Sequence, residues 1–301
     1  MSYLVPAVTL RGRRSGCAQR HRFVCAFTAG LAVCLALFHS PFTPIARAAS
    51  PELIDASTYD NAVRKIPFDR MTDDAQGRVW KIIAQPSLYR RLPVTRIETD
   101  PDLYLFLIRY PEVIVNMWEL MGVTKVKIRR TGEFTFDASD GAGTVSQVEL
   151  IYGDRETHVM MADGTYEGPL FKRLIRGRCA LVLHSGYGKS AERGNQVTHQ
   201  LDMFVQMDNV GGELIAKTLH PLVGQTADHN FIEASRFLGQ VSQAATTRPT
   251  GMQQLASRLT KVDPTVRERF ATVSAETYQR ATGNVIQAKR TDFPVKMTKS
   301  Q

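Results

Sequence analysis

Residues 196–208 read Gln196-Val197-Thr198-His199-Gln200-Leu201-Asp202-Met203-Phe204-Val205-Gln206-Met207-Asp208. Val197, His199, Leu201, Met203, Val205 and Met207 fall on one face of an extended chain. Thr198, Gln200, Asp202 and Gln206 fall on the other, with Phe204 as the exception. A period of two with one apolar face marks a half-buried β-strand. At roughly 3.4 Å per residue it spans about 40 Å, a length that suits a large curved sheet.

Working back from this strand, alternating runs cover Lys125–Arg130, Gly132–Ala138, Thr144–Tyr152, Thr157–Ala162 and Leu174–His184. Asp140-Gly141, Gly153-Asp154, Asp163-Gly164 and Gly186-Tyr187-Gly188 stand between them as turns, the punctuation of antiparallel strands. Forward of Gly211-Gly212 the period becomes helical. Leu219, Val223, Ala227, Phe231, Ala234, Phe237, Leu238 and Val241 recur at spacings of three and four, which predicts a helix over 219–243. Thr246–Gly251 reads as a linker, and Pro264 opens an amphipathic helix to about Ala281.

Upstream, residues 49–91 form a polar lead-in with a helix over Thr72–Ile83. Pro93–Ile97 is a short strand. Asp100-Pro101 then begins a helix, an acid at the N-cap followed by proline in the first turn. Pro111 opens a second short helix, closed by Gly122.

The sequence Ile97-Glu98-Thr99-Asp100-Pro101, followed by Tyr110-Pro111-Glu112 and Trp118, resembles the opening of the START-like superfamily, also called helix-grip or SRPBCC. The order of elements over 92–245 agrees with it. The resemblance implies an α+β fold, a curved antiparallel sheet wrapped around a long C-terminal helix. It also implies an apolar cavity between sheet and helix, in a superfamily that binds lipids, sterols or other apolar molecules and includes some enzymes. The fold does not fix the activity.

The N-terminal residues carry an address. Arg11, Arg13, Arg14, Arg20 and Arg22 precede the apolar run Phe23–Phe38, and Ala46-Arg47-Ala48 follows. A basic start, an apolar middle and an A-x-A stop are the parts of a secretory signal peptide. Residues 1–48 are therefore expected to be cleaved, the alternative being a retained anchor, and the product to be periplasmic or secreted. The chain has 38 Lys+Arg and 29 Asp+Glu. Six arginines and no acids lie in 1–48, so 49–301 holds 32 against 29, a net of +3. That balance gives no reason to expect nucleic acid as a partner. Residues 246–301 concentrate ten basic and four acidic side chains; this basic, partly helical extension would suit an anionic membrane surface or a protein partner. Cys179 is the sole cysteine after residue 48, so no internal disulfide can form.

Chemical motifs are sparse. His184–Ser190 ends in Gly-Lys-Ser, but a phosphate loop needs glycine where Leu183 stands; a hairpin loop is expected there. His158, His184, His199, His220 and His229 lie at no zinc spacing, no cofactor is implied, and no G-x-S-x-G elbow exists. His199 sits on an apolar strand face, where a buried imidazole needs a partner. It is either a satisfied core histidine or a polar anchor for a ligand head group. The expected function is non-catalytic binding of a hydrophobic or lipid-like small molecule, with Trp118, Tyr152, His199, Met203 and Phe231 lining the cavity. The alternatives are an exported enzyme on the same fold, acting on a lipid-like or aromatic substrate, and an interaction module with no cavity.

Overall fold

The computed structural model describes residues 56–168, 171–190, 194–208, 211 and 220–283; the expected signal peptide lies outside the described residues. The strands are β1 (Leu88–Arg91), β2 (Thr95–Glu98), β3 (Lys127–Arg130), β4 (Thr135–Ser139), β5 (Thr144–Gly153), β6 (Thr157–Gly168), β7 (Phe171–Ser190) and β8 (Gly194–Met207). They form one antiparallel sheet in the order β1-β8-β7-β6-β5-β4-β3, with β2 also paired to β8. The helices are α1 (Ala56–Arg64), α2 (Asp73–Ile83), α3 (Pro101–Arg109), α4 (Pro111–Leu120), α5 (His220–Thr247), α6 (Pro249–Arg258) and α7 (Pro264–Ala281). The curved sheet grips α5, the α+β helix-grip arrangement.

Local chemistry explains the starts of these helices. Thr72 caps α2 by accepting from Ala75 N. Asp100 caps α3, accepting from Asp102 N and Leu103 N at 3.0 Å each, with Pro101 supplying the first-turn φ. A side-chain cap of this kind contributes about 1 kcal/mol. Asp100 also holds Arg280 of α7 at 2.9 and 2.8 Å and donates its N–H to the Ser242 hydroxyl of α5 at 2.9 Å. One buried acid therefore ties three helices together.

The strands run further than the turn signals imply. Asp163-Gly164 is not a turn: Asp163 pairs with Gln147 and Arg178, and Gly164 with Ser146 and Gly177. The ladder continues because its neighbours supply bonds on both sides, which outweighs the turn preference of Asp-Gly. Gly186-Tyr187-Gly188 likewise lies within β7, opposite Gln196–Thr198, and the pairing extends to Ser190 and Gly194. The hairpin loop expected at His184–Ser190 is thus strand. The expected linker at 246–251 is a break at Arg248, because Pro249 sets the first turn of α6 directly.

Both faces of the sheet are covered, by different parts of the chain. On the inner face, α3, α4, α5, α6 and α7 share one core that includes Leu103, Trp118, Met203, Phe231, Met252 and Phe270. On the outer face, α1 and α2 bury Tyr89, Ile151, Tyr152, Val159, Met161, Val182 and Phe204 beneath Ala62, Val79 and Ile82. Phe204, the exception to the alternation of β8, belongs to this second core. Its ring centroid lies 5.8 Å from Tyr59 and 5.0 Å from Tyr89. Residues 56–83 are therefore a structural layer of the fold.

Candidate functional site

Direct partners in an antiparallel sheet share a face, so the register fixes what points inward. Met160, Leu181 and Met203 form one row. Two residues further along come Phe136, Val148, Ala162, Cys179 and Val205. Two further again come Ala138, Ser146, Gly164, Gly177 and Met207. Ala138, Ala162, Cys179, Gly164, Gly177 and Ser146 thus make a floor of small side chains across β4–β7.

Polar groups without partners face this interior. Ser146 is 4% exposed and its hydroxyl has no hydrogen bond. Thr144, the next inward residue of β5, is the same. On α5, Asn230 is 1% exposed and neither atom of its amide is bonded. Asn230 lies one turn from both Ala227 and Ala234, on the stripe that meets the sheet. Leaving a buried polar group unsatisfied costs about 1–3 kcal/mol.

The other end of the interior holds a closed polar chain. Tyr104 OH stands 2.8 Å from Ser185 Oγ and 2.9 Å from His199 Nδ1. His199 Nε2 stands 2.8 Å from Ser235 Oγ, which donates to the Phe231 carbonyl at 2.6 Å. Because Ser235 spends its proton on Phe231, Nε2 is the donor and carries the imidazole hydrogen. Nδ1 then accepts from Tyr104, which accepts from Ser185. Every proton is committed. Burial holds His199 down to about 4, as a neutral imidazole at pH 7, and pushes the Tyr104 hydroxyl well above its usual range. This cluster joins β7 and β8 to α3 and α5 through side-chain hydrogen bonds.

His158 is also buried, and held down to about 3 by desolvation and then by Arg109. Arg109 Nε donates to its Nε2 at 3.2 Å, which leaves the proton on Nδ1, an atom with no partner. Among the described residues, no three His, Cys, Asp or Glu side chains converge to hold a metal ion.

Trp118, His199, Met203 and Phe231 all face the inner core. His199 and Phe231 are 5.1 Å apart between ring centroids, and Trp118 packs on Phe237 at 5.5 Å. Tyr152 does not join them. A bulge between Leu150 and Tyr152 inserts one residue into β5 and reverses its alternation, so Tyr152 turns to the outer core and donates to Asp154 Oδ2 at 2.7 Å. Ser146, Asn230, Tyr104, Ser185 and Ser235 were not singled out from sequence. For Asn230 and Ser235 the signal was present: both are polar residues on the apolar stripe of α5.

A concavity lies at the far end of β2. It is an open groove of about 1040 Å³, bounded by Arg96–Asp100, the β7–β8 end at Lys189 and Gly194–Gln196, Arg236–Thr246 of α5, and Thr277–Ala281 of α7.

No family model matches the chain, and no curated protein matches it. Solved structures do. A hypothetical protein of Helicobacter pylori is 13% identical over 50% of this chain and 89% of its own, with a TM-score of 0.33. Ara h 8.0201 is 12% identical over 50% and 98%, with a TM-score of 0.31. The ZhuI aromatase/cyclase of Streptomyces sp. R1128 is 10% identical over 60% and 95%, with a TM-score of 0.20. These likenesses are distant, and the assignment of an α+β helix-grip fold stands on the strand order and the gripped helix.

Proposed function

We propose that this chain is a START-like, exported, non-catalytic protein that holds one hydrophobic or lipid-like small molecule between the inner face of the sheet and α5. The observation that carries the reading is the small-residue floor together with its orphan polar groups. Ala138, Ala162, Cys179, Gly164 and Gly177 leave little side-chain volume on that stretch of sheet. Ser146 is buried on that floor and Asn230 on the buried stripe of α5, each with hydrogen-bonding capacity unused. A mostly apolar lining with a few convergent polar groups is what an amphipathic small molecule requires. Its chain would lie over the floor, and its polar end would bond to Ser146 and Asn230. The closed chain around His199 supports a non-catalytic role, because its imidazole is neutral and fully bonded. Gly177→Leu fills the floor and tests the reading. It is expected to abolish uptake of a fluorescent fatty acid by the folded protein. Undiminished uptake would contradict it.

A further inference from the structure

We propose that Asp140, Thr144 and Ser146 form a receptor for a primary ammonium group. The apolar molecule inferred to lie between the sheet and α5, on which this rests, is then an amphipathic amine. Among the described residues the buried acids are Asp100, Glu112, Asp140 and Asp202. Three of them hold an arginine: Asp100 with Arg280, Glu112 with Arg130 and Asp202 with Arg91. Asp140, only 3% exposed, is the exception, and its two oxygens meet no cation among the described residues. Oδ1 accepts from Ala142 N at 2.7 Å and from Thr144 N at 2.9 Å, which shapes the β4–β5 turn. Oδ2 is buried and bonds nothing. The turn accounts for one oxygen, and an asparagine would serve it equally. A buried carboxylate without a counter-charge is costly, and a bound cation relieves that cost.

Register places the neighbours of Asp140. Ala138 pairs with Ser146 and Ser139 with Val145, so the next step sets Asp140 opposite Thr144 on the inward face. Asp140 N donates to the Thr144 carbonyl at 3.3 Å, in agreement. Thr144 pairs in turn with Tyr166, and Tyr166 with Ile175. Both are buried, and this row closes the small-residue floor at its end. Ser146 stands two residues along β5, about 7 Å away by the rise of a strand. The hydroxyls of Thr144 and Ser146 are buried and unbonded, like Asp140 Oδ2. Three acceptor oxygens at one end of an apolar floor match the three N–H donors of an ammonium. A quaternary ammonium has no N–H to give and is held by aromatic faces instead. A fatty-acid carboxylate keeps the chain contacts but meets Asp140 as a like charge. A calcium ion takes about six to eight oxygens, and among the described residues no three acidic, cysteine or histidine side chains converge to hold a metal.

The test is calorimetric titration of the full chain with decylamine, decanol, decanoate and decyltrimethylammonium, which share one apolar chain. Decylamine is expected to bind at least about tenfold more tightly than the other three, because charge-assisted hydrogen bonds are the strong ones. Asp140→Asn keeps Oδ1 for the turn and removes the charge. It should weaken decylamine about tenfold and leave decanol affinity nearly unchanged, which also shows that the variant is folded. Thr144→Val removes one hydroxyl, leaves Asp140 in its turn, and should likewise weaken decylamine while sparing decanol. Equal affinity for decylamine and decanol would overturn the amine assignment and leave the apolar ligand standing. So would decanoate binding as tightly as decylamine, or decylamine binding indifferent to Asp140→Asn. No binding by any of the four would overturn both.

Discussion

His199 Nε2 donates to the Ser235 hydroxyl at 2.8 Å, and through that bond β8, the strand next to the sheet edge, is fixed to the helix the sheet grips. The proton inventory around it is closed from Ser185 through Tyr104 and His199 to the Phe231 carbonyl. Tyr104→Phe keeps the ring and removes the link, leaving Ser185 and His199 Nδ1 without a partner. The expected loss is about 1–3 kcal/mol in urea unfolding. A change within error would mean that the chain is not a structural tie.

Acid should weaken the fold in a defined window. Folded His199 is held down to about 4 and His158 to about 3, against about 6.5 in an unfolded chain. Between pH 6.5 and 4 the unfolded state binds more protons, so stability is fully present above pH 6.5 and falls as acid is added. Each histidine contributes up to about 1.4 kcal/mol per pH unit across that range. Urea midpoints at pH 7, 6 and 5 measure it, and the slope should shrink in His199→Gln.

Asp202 has no exposed surface, and accepts from Arg91 Nε at 2.8 Å, Arg91 Nη2 at 3.0 Å and Tyr89 OH at 2.7 Å. Removing one partner of a buried pair strands the other, so Asp202→Ala should cost about 3–5 kcal/mol. Asp137→Ala breaks the exposed pair with Arg129 and should cost less than about 1 kcal/mol. Equal losses would contradict this placement of the two acids.

The outer layer gives a further test. Phe204→Ala removes a ring packed by Tyr59 and Tyr89 and should destabilise by about 3–5 kcal/mol. A chain lacking residues 56–83 should expose the same apolar face and bind a hydrophobic dye. A soluble, cooperatively folding truncation that ignores the dye would show that the layer is dispensable.

What the sequence made legible follows from which signals are local. The Asp100-Pro101 start, the stripe Ala227–Val241 and the alternation of β8 are each set within a few residues, and each was read directly. Phe204 was an anomaly in that alternation because its cover, α1 and α2, lies more than a hundred residues away in sequence. Tyr152 was placed on the wrong face because a single-residue bulge inverts everything after it, and no residue type announces one. Asp163-Gly164 carries turn chemistry that two neighbouring strands override, and Gly186–Gly188 carries turn chemistry overridden by pairing with β8. The site itself was half legible. Apolar inward residues emerge from periodicity, while the small-residue floor across β4–β7 exists only once the strand register is known.

The central claim is that the sheet and α5 enclose a bound apolar molecule. Native mass spectrometry of the chain purified from its own host tests it most directly, with solvent extraction of the same sample to identify what is released. The account predicts one added mass per chain, extractable as a lipid-like compound and absent from Gly177→Leu. Repeated spectra of the bare polypeptide, with nothing in the extract, would contradict it.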